Sequence, residues 1–129
     1  MSERNKAIAR VAFEVWSTGD LHRLDDHISP DVIHHDPYDP NGAAGLAGMK
    51  KTIQASRSIR PDLRIKIEDQ LAEGDKVATR WTATITDKGK EVTIGGITID
   101  RFENGKIVEA WRSMDRLGLL RQTGAIADQ

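Results

Sequence analysis

From Leu63 to Asp115 the chain alternates apolar and polar residues with a period of two, and three clusters of turn residues cut that alternation into four runs. A period of two puts successive side chains on opposite faces of a strand. Leu63, Ile65, Ile67 and Leu71 share one parity, with Arg64, Lys66, Glu68 and Gln70 on the other. Val77, Thr79, Trp81, Ala83 and Ile85 share a face of the second run. The third, about 91–102, carries Val92, Ile94, Ile97, Ile99 and Phe102, and Gly95-Gly96 interrupts its alternation, which predicts a bulge or bend. The fourth runs from about 107 to 115. "EGDK", "TDKGK" and "ENGK" supply tight turns, so the runs form an antiparallel meander.

The first half has a different period. Ile8, Val11, Ala12, Val15 and Trp16 recur at helical spacing, and Gly19 suits a left-handed cap. Leu21, Leu24 and Ile28 predict a short second helix stopped by Ser29-Pro30. "DVIHHDP" reads as a short strand, "YDPNGAAG" (38–45) as a loop, and Leu46, Met49 and Ile53 mark a helix over about 46–59 that Pro61 terminates. Helices followed by a meander predict an α+β fold, with helices packed on one face of a curved sheet, in one domain over 1–129.

Charge and composition exclude several classes. Nineteen basic and 20 acidic residues leave a net charge of −1, unlike the basic footprint of a nucleic-acid binder. The chain has no cysteine, which removes disulfides and thiolate chemistry. No apolar run approaches the roughly 20 residues of a membrane span, and "MSERNKAIARV" lacks a secretory h-region, so a cytoplasmic protein is expected.

The last run holds the first candidate. Ile107, Glu109, Trp111, Ser113 and Asp115 share one parity, and Val108, Ala110, Arg112 and Met114 the other, so neither face is purely apolar. A sheet face under helices carries carboxylates only where it lines a cavity or reaches the rim. Asp115 is then either the N-cap of the tail "RLGLLRQTG" or a pocket carboxylate beside an indole, tuned by desolvation towards basicity near neutral pH. "HHDPYD" (34–39) gathers four potential metal ligands, but His34 and His35 point to opposite faces of a strand, and His22 and His27 are five apart. No metal site is expected. A histidine here reads either as a donor to a substrate oxygen or as a structural residue. Arg80 has Asp100, Glu109 or Asp115 as candidate partners. There is no G-x-S-x-G elbow, G-x-G-x-x-G motif or P-loop.

"VIHHDP", "GLAGMK", "RPDLRIKIEDQLAEGDKVATRW", "GGITIDRFENGKIVEAW" and "DRLGLLRQTG" occur in that order. Together they resemble the SnoaL-like polyketide cyclase, or ester cyclase-like, family of the nuclear transport factor 2-like superfamily, over roughly residues 5–124. The resemblance implies a cone-like α+β barrel with an apolar pocket between helices and sheet. It also implies an intramolecular aldol condensation that uses no cofactor. By the same resemblance Asp115 is the acid/base on the last strand, His35 matches the strand-one histidine, and Trp111 matches the tryptophan upstream of the aspartate. The segment "TATITDKGKEVTIGG" stands where many members carry a longer, histidine-bearing insert.

The expected function is acid/base chemistry on a small apolar carbonyl compound, a cyclisation or an isomerisation. Asp115 would take the proton, His35 would meet the enolate oxygen, Trp111 and Trp81 would wall the pocket, and Arg80 would contact substrate. The alternatives are a non-catalytic ligand-binding protein and an epoxide hydrolase-like site that activates water with Arg80 and Asp100. A homodimer through the outer sheet face is expected.

Overall fold

The structure is a computed structural model that describes residues 2–39 and 44–126. Residues 40–43 of the expected loop lie outside the described residues. Helix α1 (Ser2–Thr18) is followed by a single 3-10 turn at Leu21–Leu24, then β1 (Ile28–His35) and α2 (Gly45–Ile59). Strands β2 (Arg64–Glu73), β3 (Lys76–Asp87), β4 (Lys90–Glu103) and β5 (Lys106–Met114) follow, and α3 (Arg116–Gln122) closes the chain. This is an α+β fold, as the sequence predicts.

α1 forms because its apolar residues recur on one stripe: Ile8, Ala9, Ala12, Phe13, Val15 and Trp16 are all buried. Gly19 ends it with φ +78°, its N–H donating to the Val15 carbonyl at 2.7 Å. The predicted second helix is shorter than its pattern, because Ile28 already belongs to β1. Pro30 is tolerated within β1 because that strand lies at the sheet edge.

The sheet order is β1-β5-β4-β3-β2. The meander is antiparallel as expected, but β1 lies parallel to β5, so the sheet is mixed. Parallel pairing needs a long connection, which α2 and β2–β4 supply. Two bulges set which residues face the helices. In β2, Glu68 is extra, since Ile67 pairs with Trp81 and Asp69 with Arg80. In β5, Val108 is extra, since Arg101 pairs with Glu109 and Phe102 with Ile107. Each bulge reverses the parity of its strand beyond it. Leu71, expected inside, is therefore 74% exposed.

β4 lacks the expected break. Its register with β3 is continuous from Arg101 to Lys90. The alternation 92, 94, 96, 98, 100, 102 runs through the glycine pair, so Ile97 and Ile99 face outward and Thr98 and Asp100 inward. Gly96 serves a different need. It pairs with Trp81, and a Cβ there would overlap the indole. The glycine lets Trp81 lie flat across the neighbouring strand. Among the described residues no helix is long and apolar enough to cross a membrane.

Candidate active site

About 550 Å³ of atom-free space, partly open to solvent, lies between α1, β1, α2 and the inner face of the sheet. Phe13, Trp16, Val32, Met49, Ile65 and Trp81 make much of its wall apolar, and four polar side chains line it: His34, Thr98, Asp100 and Arg112. The alternation of β4 carries Thr98 and Asp100 there. β1 turns His34 inward between the outward Ile33 and His35, and β5 turns Arg112 inward beyond its bulge.

Asp100 is the distinctive group. It is a carboxyl only 5% exposed, set between Val77 and Ala110 in register, both buried. Burial pushes its pKa up from 3.8 to about 7, and among the described residues no hydrogen bond or cation offsets that. Losing water disfavours the ionised form, and nothing replaces the lost hydration. A carboxyl titrating near neutrality can take and return a proton at physiological pH.

Of the other three groups, Thr98 and Arg112 are held by hydrogen bonds. Trp81 Nε1–H donates to Thr98 Oγ1 at 3.0 Å, which leaves the Thr98 hydroxyl proton free to be donated to a ligand. The His34 side chain is 10% exposed, with Nδ1 4.0 Å from Asp39 Oδ2. Burial first, and then the positive charge of Arg112, hold its imidazole below the usual range, so it is neutral at pH 7. Arg112 Nε–H donates to Asp36 Oδ2 at 2.7 Å, and its guanidinium lies 5.3 Å from the Trp16 ring centroid. Burial works to raise the Asp36 carboxyl, but the Tyr38 N–H and Arg112 outweigh it and hold the group low.

Of the residues singled out from sequence, Trp81 and Asp100 line this cavity and the others fall elsewhere. Asp115 is exposed and is the N-cap of α3, its Oδ1 accepting the Gly118 N–H at 2.8 Å. The bulge at Val108 explains this placement. Ile107 faces in, but beyond the bulge Glu109, Trp111, Ser113 and Asp115 face out, while Ala110, Arg112 and Met114 face in. His35 is also on the outer face, hydrogen-bonded through Nε2 to Glu109 Oε2 at 2.7 Å and stacked on Trp111 with centroids 5.3 Å apart. That hydrogen bond, with one from Arg101 and its positive charge, holds Glu109 below the usual carboxylate range although desolvation opposes it. Arg80 is exposed and paired with Asp69 at 3.1 Å, so it does not meet the buried Asp100. Asp115 and His35 therefore do not line the Asp100 cavity, whereas Asp115 and Arg80 border, with Trp81, a separate and more open pocket beside Gly95-Gly96. Among the described residues no three of His, Asp and Glu gather as a metal ion would require.

In the sequence Asp100 stands out only as a partner for Arg80, His34 only as one of two adjacent histidines either of which could be a donor, and Thr98 and Arg112 not as site residues. A signal for Asp100 was present: it shares unbroken parity with Val92, Ile94 and Phe102, so a carboxylate stood on the apolar face.

Among the described residues the sheet holds a carboxyl with no hydrogen-bond partner in an apolar cavity under its N-terminal helices, and the α+β architecture around it is that of a small pocket-bearing domain. The sequence profile of the SnoaL-like polyketide cyclase family matches residues 6–123, and the chain belongs to that family. Solved structures agree. A candidate polyketide cyclase from Bacillus cereus ATCC 10987 is 31% identical, with TM-score 0.87 over 96% of this chain and 83% of its own. One from Acidithiobacillus ferrooxidans is also 31% identical, with TM-score 0.85 over 98% and 99%. AclR, a candidate hydroxylase from Streptomyces galilaeus, is 28% identical, with TM-score 0.82 over 100% and 86%. No curated protein sequence matches the chain. Neighbours described by different reactions mean that the site, and not the fold, must carry the functional argument.

Proposed function

We propose that this protein is a cofactor-independent acid/base enzyme acting on a small, largely apolar carbonyl compound, with Asp100 as the proton-transfer group. The observation that carries the reading is a carboxyl on an apolar cavity wall, buried and unsupported by hydrogen bonds among the described residues. In the step envisaged, the Asp100 carboxylate takes a proton from the carbon alpha to the carbonyl. The C–H electron pair forms the enolate C=C bond, and the carbonyl π pair moves to oxygen. The Thr98 hydroxyl and an N–H of neutral His34, both on the wall of the same cavity, would be the donors for that oxygen. The enolate carbon then attacks a second carbonyl of the same molecule, whose π pair moves to oxygen and takes the proton back from Asp100, or the enolate regains that proton from Asp100 at another position. The first outcome is a cyclisation, the second an isomerisation. Trp81 and Phe13, ring centroids 6.4 Å apart, help keep water from the enolate.

The test needs no natural substrate. An enolisable apolar ketone such as 2-tetralone is incubated with protein in deuterated buffer, and loss of the alpha proton is followed by NMR. Wild type is expected to accelerate exchange, and Asp100→Asn to lower the rate by at least about 100-fold, the lower end for general-base catalysis. Asp115→Asn is expected to retain wild-type exchange. Exchange that survives Asp100→Asn and fails in Asp115→Asn would return the role to Asp115. No exchange by wild type on any of a panel of ketones would favour ligand binding without catalysis.

The same reading includes a homodimer. Its support is one row across the outer face, His35–Trp111–Ile99–Ala78–Leu71, in register over all five strands. Trp111 is 36%, Ile99 37% and Leu71 74% exposed, and Ile97 and Ile33 flank the row. The charges beside it are already paired within the chain, Glu109 with His35 and Arg101, and Arg80 with Asp69. An apolar row with balanced flanks suits a second copy of itself.

A further inference from the structure

A second cavity shares Trp16, Ile65, Trp81 and Arg112 with the first as a common wall. It holds about 990 Å³ of atom-free space, open to solvent, between the C-terminal end of α2, strands β2–β5 and α3. Its floor is apolar, formed by side chains such as Leu63, Ile85, Ile94 and Leu119. Its charged lining is one-sided: Arg60, Arg112 and Arg116, with no Asp, Glu or His among the lining residues. The chain as a whole is nearly neutral, at −1, so the single sign of this lining is a local feature.

None of the three is used up by its partners. Arg60 meets Asp87 through Nη2 at 3.1 Å. Arg112 meets Asp36 through Nε and Nη2, which leaves Nη1 uncommitted among the described residues. Arg116 has no carboxylate partner among the described residues. Its guanidinium lies 4.4 Å from the Tyr38 ring centroid. It also sits in the first turn of α3, where a cation opposes the helix dipole, so local helix stability does not explain it.

We propose that this second cavity is a subsite for an organic anion with an apolar body, the body lying on the Leu63–Leu119 floor and the anionic group meeting Arg116 and Arg60. On the acid/base reading above, on which this step rests, the substrate is then an apolar ketone that carries an acidic group away from its reacting carbon. The charge selects and orients the molecule, because a guanidinium in a partly dry site binds an oxyanion through charge-assisted hydrogen bonds.

The probes are 8-anilino-1-naphthalenesulfonate, an apolar anion, and N-phenyl-1-naphthylamine, its neutral counterpart. Binding of each is measured by calorimetry and fluorescence on the full chain. Wild type is expected to bind the anion at one site per chain and more tightly than the neutral probe. Arg116→Gln, a variant without a carboxylate left unpaired, is expected to weaken the anion about tenfold while moving the neutral probe by less than about twofold. Arg60→Gln is expected to act in the same direction. Anion affinity is read without turnover, so a failure of the acid/base reading leaves this result intact. Anion affinity within about twofold of wild type in both arginine variants would overturn the subsite, as would no preference for the anion over the neutral probe in wild type.

Discussion

At the scale of single residues, two buried groups pull stability in opposite directions with pH. Asp100 titrates near 3.8 when unfolded and is pushed up to about 7 by burial in the fold. Between those values the unfolded carboxyl has lost its proton and the folded one keeps it. The stability this contributes is fully present below about pH 4 and is lost as pH rises to about 7, up to about 4 kcal/mol in all. His34 has the opposite sign. Burial and Arg112 hold its pKa below 6.5, so its contribution is present above 6.5 and lost as pH falls through the folded value. In the wild type the two contributions offset each other over part of the range. Asp100→Asn removes only the first. Chemical denaturation from about pH 4 to about pH 8 should show the variant gaining on wild type with each step upward, up to that same magnitude. Parallel curves would mean that Asp100 keeps an ordinary pKa. The same pair shows how far residues were legible. Thr98 and Asp100 could have been placed inward by parity alone, but Gly95-Gly96 reads as a break, and only the Trp81 ring above Gly96 shows why the strand stays regular.

At the scale of elements, most of the fold is written in periodicity. The helical stripe of α1, the stop at Gly19 and the hairpin at Asn104-Gly105, both at positive φ, follow from local chemistry. The face of β3 is as its alternation predicts, with Val77, Thr79, Trp81, Ala83 and Ile85 all buried. What parity cannot supply is a bulge, because one extra residue leaves little local mark and reverses every side chain beyond it. In β5 that residue is Val108. Opposite it β1 spends residues 29–32, including Pro30, where β5 spends one. The two irregularities coincide, so the proline on the edge strand and the bulge beside it mark one distortion. It turns Arg112 into the cavity and Asp115 out to cap α3. Two carboxylates on the parity of Ile107 were the clue, since a face packed under helices does not hold both without a cavity or a reversal.

At the scale of the whole molecule, the two faces of the sheet differ, with an apolar row on the outer one and the cavity wall on the inner one. The outer row through Trp111 and Ile99 is a candidate contact between copies, and light scattering at micromolar concentration should give twice the chain mass of 14.3 kDa. Ile99→Lys puts a charge in that row and should shift the mass towards the monomer with the fold retained. A wild-type monomer at that concentration would contradict the dimer. The inner face owes its chemistry to long-range assembly. Asp100 comes from β4, but its dryness is made by α1, β3 and β5, which bring Phe13, Val77, Trp81 and Ala110 into the same interior. No local motif encodes that environment. It also makes the central claim measurable without a substrate. With aspartate labelled at the carboxyl carbon, the NMR shift of Asp100 is followed against pH and assigned by its loss in Asp100→Asn. The predicted result is a single titration near pH 7. A titration near pH 4, as for an exposed aspartate, would contradict the account.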